Sequence, residues 1–162
     1  MRAETLILGI GNILLKDEGV GVRVVEAMRP LALPDHVELL DGGTLGAGLL
    51  DEIADRRKVI VIDAARTGSP PGSVCRFSSD DLEAEVGTSL SLHEFGLLDT
   101  LTMARHLGCH PHEVVLFGVE PKEIALGLDL SDVVAAAIPA LVRMVADEAA
   151  AGHAETSAAL YP

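Results

Sequence analysis

Apolar runs alternate along the chain with stretches of helical period, the pattern that βαβ units joined into a mainly parallel sheet produce. The fold class is therefore α/β, a three-layer sandwich with about five strands in a twisted sheet and helices on both faces. A first strand, Thr5 to Ile10, ends in GIGN, and Val20, Val24, Val25 and Met28 then share one face of a helix that stops before Pro30. Val37 to Leu40 predicts a second strand closing on DGGT, and Leu45, Leu49, Leu50 and Ile53 mark a second helix. Lys58 to Asp63 (KVIVID) is continuously apolar up to its terminal carboxylate, as in a central strand buried on both faces.

Beyond the turn TGSPPGS, Val74 to Phe77 predicts a short edge strand, antiparallel because its connection is too short for a crossover. Asp80 to Leu92 is polar and expected to be irregular. Leu97, Leu98, Leu101, Ala104 and Leu107 follow helical spacing up to Gly108, a C-terminal cap. Val114 to Val119 is the last strand. An alanine-rich helix is expected from Asp132 to Ala151, with Pro139 kinking it or delaying its start. No internal repeat is found; the expectation is one α/β domain over residues 1–151 and a mobile tail over 152–162.

Composition narrows the function classes. A chain of 162 residues with 49% hydrophobic and 23% charged residues suits one globular core, and no apolar run approaches the roughly 18 residues of a membrane span. A formal charge of -13 repels a phosphate backbone, so neither nucleic acid nor a membrane is expected as a partner. Leu6 to Ile10 is too short for the core of a signal peptide. Cys75 and Cys109 form neither a disulfide framework nor a CxxC motif, so the expected compartment is the cytoplasm.

In an open α/β sheet, ligands bind beyond the carboxyl ends of the strands, where strand order reverses. Asp17 and Glu18 follow the first strand, Asp41 ends the second, Asp63 ends the third, and His93 lies in a long loop that could fold over the same edge. If the order begins 2-1-3, Glu18 and Asp63 flank the crevice. Each has a plainer reading. Asp17 and Glu18 could serve the start of the following helix, Asp41 and Asp63 could cap loops, and His93 could be a hydrogen-bonded structural histidine. Two carboxylates and an imidazole converging would instead form an O, O, N ligand set for a borderline divalent metal such as nickel or zinc, with positions left open.

Other motifs fall away. GIGN fails the dinucleotide fingerprint because Leu14 stands where GxGxxG needs glycine, and the acidic pair that follows would repel a pyrophosphate. Cys109, His110 and His112 have metal-ligating side chains but precede the last strand, at the end opposite the crevice. No GxSxG elbow, HExxH helix or P-loop is present.

Taken together, LGIGNILLKDEGVGVRVVEAM, VELLDGGTLG, VIVIDA and SLHEFGL resemble the hydrogenase maturation endopeptidases, in order and with similar spacing from Leu6 to about Met144. The resemblance implies a phosphorylase/hydrolase-like fold and a cytoplasmic, monomeric protease acting on the nickel-iron hydrogenase large-subunit precursor. In that family a glutamate, an aspartate and a histidine bind the metal, positions similar to Glu18, Asp63 and His93. The implied role for Glu18 and Asp63 is direct participation in catalysis, for His93 positioning, and for Asp41, the DGGT aspartate, a base or supporting function. The implied metal is nickel carried by the substrate, with zinc or cadmium able to take the site in vitro. The segment Thr67 to Ser89 varies and is expected to help choose the client. A non-enzymatic nickel chaperone or sensor with the same ligands is the alternative.

Overall fold

The strand at the centre of the sheet is the one whose sequence is apolar almost without interruption. The computed structural model describes residues 2–84 and 96–158. Five strands, β1 (Thr5–Ile10), β2 (Val37–Gly43), β3 (Lys58–Ala64), β4 (Val74–Ser78) and β5 (Glu113–Val119), form one sheet in the order β2-β1-β3-β5-β4. Every residue of β1 and β3 is buried, as strands covered on both faces require. All pairings are parallel except β4 with β5, which is antiparallel at the edge as its short connection dictates.

Strand alternation divides the apolar side chains between two layers. Ile7, Ile60, Ile62 and Phe117 meet α1 (Val20–Met28) and α5 (Asp132–Ala158) on one face. Leu6, Leu8, Val59, Val61 and Leu116 meet α2 (Leu49–Ile53), α3 (Ser79–Ala84) and α4 (Leu97–His106) on the other. The three-layer arrangement is thus the expected one, with helices on both faces.

Several boundaries differ from the sequence reading. The segment beginning at Asp80 is not wholly irregular, because α3 opens it. The Asp81 amide donates to the Ser78 hydroxyl at 3.3 Å while the Asp81 carboxylate accepts from the Ser78 amide at 2.9 Å, a reciprocal cap that satisfies donors at the helix start. The second helix is shorter than its apolar spacing predicts. Leu45 belongs to a turn in which its amide donates to the Gly42 carbonyl, and a 3-10 helix at Gly46–Gly48 precedes α2. At the C-terminal side, α5 begins at Asp132 despite Pro139 and continues beyond Ala151 to Ala158. A helical glycine such as Gly152 costs about 1 kcal/mol relative to alanine, too little to stop a helix rich in alanine.

One close approach fixes the loop that carries the acidic pair. Gly9 on β1 and Gly21 on α1 face each other, and a Cβ on Gly21 would overlap the Ile62 and Ile10 carbonyl oxygens. Only glycines let the first turn of α1 press onto β1 and β3 here. The preceding 3-10 helix, Lys16–Gly19, is thereby held against β3 at the point where strand order reverses.

Candidate active site

Buried charges are segregated along the strand axis. Among the described residues, Asp17, Glu18, Asp63 and Glu120 are buried at the carboxyl end of the sheet, whereas Arg56 and Lys58 are buried at the amino end. The cations have carboxylate partners: Arg56 meets Glu38 at 2.7 Å, and Lys58 meets Glu148 at 2.7 Å and Glu113 at 3.2 Å. These contacts tie β2, β5 and α5 to the start of β3.

At the other end, adjacent acids have different tasks. Asp17 is fully buried; its Oδ2 accepts the Lys122 and Glu123 amides, both at 2.9 Å, and the Ser131 hydroxyl at 2.8 Å. Its Oδ1 accepts the Ser131 amide at 2.7 Å. Burial alone would raise its pKa, but these donors together outweigh burial and lower it below the ordinary value. Asp17 is therefore a clasp between the loop after β1 and the loop before α5. Its expected alternative as a helix cap is not seen: the N-cap of α1 is Gly19, with no side-chain capping bond.

Glu18 is 7% exposed and lies on the 3-10 helix packed against β3. Asp63 is 2% exposed near the end of β3, where one carboxylate oxygen accepts the Ala64 amide at 2.8 Å. The topology thus brings both to the crevice between β1 and β3, as the 2-1-3 order requires. Asp41 is placed differently. It pairs in register with Gly9, which also pairs with Ile62, so alternation puts Asp41 on the α1 face and Asp63 on the opposite one. Asp41 is exposed, and its Oδ1 accepts the Gly43 amide at 3.0 Å. His93 lies outside the described residues.

Glu120 was not singled out by the sequence reading, although it follows β5 as Asp63 closes β3. It accepts the Thr67 amide at 2.7 Å and the Thr67 hydroxyl at 3.0 Å, anchoring the segment that follows β3 at this end of the sheet. The Cys109, His110 and His112 group lies at the amino end of β5, where the Asp55 amide donates to the Cys109 carbonyl and the His112 amide to the Arg56 carbonyl. Among the described residues, no three His, Cys, Asp or Glu side chains are grouped to hold a metal ion. No helix among them is long and apolar enough to cross a membrane.

The arrangement defines an α/β protein with an acidic crevice at its topological switch point. The family model described as hydrogenase maturation protease matches residues 22–148, and the chain belongs to that family of proteases. It is 40% identical over 144 residues to the Hydrogenase 2 maturation protease of Escherichia coli, covering 87% of this chain and 88% of that protein. It is 42% identical over 123 residues to the hydrogenase expression/formation protein HupD of Thiocapsa roseopersicina, covering 75% of this chain but 56% of that longer protein. The solved structure of the hydrogenase maturating endopeptidase HybD from E. coli superposes with a TM-score of 0.80 at 39% identity, over 90% of each chain.

Proposed function

We propose that the protein is an endopeptidase that removes the C-terminal extension of a nickel-iron hydrogenase large-subunit precursor after nickel insertion. The observation that carries this reading is the pair of buried carboxylates, Glu18 and Asp63, at the β1/β3 switch point. Their carboxylate oxygens are anionic donors of the kind that a divalent metal presented by the substrate takes. The donor set of Glu18, Asp63 and His93 is of the mixed oxygen and nitrogen kind that suits nickel. Nickel here is part of the substrate, and its presence reports that the precursor is loaded.

The protein's own residues position the scissile segment and move protons. Glu18 and Asp63 hold the loaded end of the precursor at the crevice, and His93 orients it. Asp41, one strand away from β1 on the outer side, supports the peptide or acts as a base. A carboxylate deprotonating water and polarisation of the peptide carbonyl by the substrate's nickel are the two routes the residues support. The reaction is placed in the cytoplasm, on a monomeric enzyme.

The test is incubation of purified protein with nickel-loaded, C-terminally extended precursor, read by the intact mass of the precursor. Loss of a short C-terminal peptide only with nickel, and only with Glu18 intact, is the expected result. An unchanged precursor mass across several clients would overturn the reading.

A further inference from the structure

Apolar exposure is concentrated around the crevice. Half of the exposed large apolar side chains among the described residues, Leu14, Leu45, Ile124, Leu126 and Leu128, sit on loops after β1, β2 and β5 at the carboxyl end of the sheet. Leu126 is 85% exposed, Leu128 58% and Leu14 57%. These are not side chains on slack loops. The Gly127 amide donates to the Leu14 carbonyl at 2.9 Å and the Lys16 amide to the Gly127 carbonyl at 3.0 Å, a short parallel bridge that sets Leu14 beside Leu126. The Asp17 carboxylate clasps both sides of this loop, and Arg23 donates to the Leu128 carbonyl at 3.0 Å. Backbone hydrogen bonding therefore holds the leucines out into water, an arrangement that marks an interaction surface.

We propose that Leu14, Leu126 and Leu128 form an apolar rim that docks an extended, apolar segment of the protein substrate flanked by basic side chains. The inference rests on the protease reading and adds how the substrate is held. Its first support is place: the leucines sit on the two loops joined by the carboxylate of Asp17, the residue that directly precedes Glu18. Its second is charge. Glu123 is paired with Lys16 at 2.9 Å, which leaves exposed Asp129 and Asp132 against Lys122 beside the rim, so basic side chains flanking an apolar stretch complete the match. A second copy of the chain would bring the same acidic fringe and a formal charge of -13, which disfavours self-association through this face.

The experiment measures kcat and KM for the nickel-loaded precursor with wild type, Leu126→Asp, Leu14→Asp and Leu126→Met. Leu107→Asp serves as a control, since Leu107 is 65% exposed at the end of α4, away from the crevice. The aspartate variants at positions 14 and 126 are expected to raise KM by about tenfold or more with kcat changed by less than about twofold; Leu126→Met, which keeps an apolar side chain, raises KM less than Leu126→Asp, and Leu107→Asp remains near wild type. Unchanged KM in both rim variants, with an active wild type, would overturn the docking inference and leave the protease reading intact. An equal loss in Leu107→Asp would also overturn it. A wild-type dimer in sedimentation that Leu126→Asp dissociates would reassign the rim to a second copy. Failure of wild type to bind or cleave the precursor would remove the protease reading and this inference with it. Thermal melts check folding, and Leu126→Ala replaces any variant that melts early.

Discussion

The carboxylate of Asp17 accepts the hydroxyl of Ser131 at 2.8 Å, and through it the loop after β1 is joined to a segment that lies 114 residues further along the chain. The same carboxylate accepts three backbone amides. The platform carrying Glu18 is therefore built by its neighbour in sequence.

Asp17→Asn tests that platform. The substitution keeps the shape but replaces one acceptor oxygen with a donor facing buried amides, and a loss of about 2 to 4 kcal/mol in urea unfolding at pH 7 is expected. The pKa of Asp17 is lowered in the folded state, so its contribution is complete above the unfolded value of about 3.9 and is lost as pH falls through the lowered value. The variant should flatten the acid limb of the stability profile.

Glu148 governs a second acid-sensitive contact, at the opposite end. Its two hydrogen bonds from Arg76, at 2.8 and 3.0 Å, are the largest influence; burial opposes them, Lys58 reinforces them, and the pKa falls to about 2. The stabilisation is present above the unfolded value of about 4.3 and disappears as pH drops toward 2. Glu148→Gln, which leaves the buried Lys58 ammonium short of a counter-charge, should cost about 2 to 3 kcal/mol at neutral pH by chemical denaturation.

At the crevice, Glu18→Gln and Asp63→Asn should each lower precursor cleavage by about a hundredfold or more without a comparable loss of stability. Asp41→Asn, on the outer strand, should reduce cleavage less. Time courses of precursor mass give the rates; a fully active Glu18→Gln enzyme would remove Glu18 from the mechanism.

Calorimetric titration with nickel distinguishes a protease that meets its metal in the substrate from a carrier. Weak or absent binding by the free protein is expected. A tight site abolished by His93→Ala would favour the chaperone or sensor reading instead.

β1, β3 and β5 were legible because two-sided burial leaves a continuous apolar run, and in β3 that run stops at Asp63, one residue before the strand ends. Glu18 and Asp63 were legible for a related reason: their position follows from strand ends and the 2-1-3 order alone. What sequence could not convey was the task of Asp17, since its partners lie 105 to 114 residues away. Alternation likewise separates Asp41 from Asp63 across the sheet, which depends on the register with Gly9 rather than on proximity to a strand end. The reciprocal Ser78–Asp81 cap was readable in principle, yet the polarity of the surrounding residues concealed α3.

The two ends of the sheet treat buried charge unequally. Arg56 and Lys58 are offset by carboxylates, whereas Asp17 and Glu120 receive only neutral amide and hydroxyl donors from the hydrogen bonds described above. Neutral donors stabilise an anion without cancelling its far field. The carboxyl end is therefore expected to attract the basic side chains of the substrate segment proposed above from a distance and to orient them before any contact forms. Capture should then slow as ionic strength rises, while the intrinsic speed of the chemistry, once the partner is seated, should not.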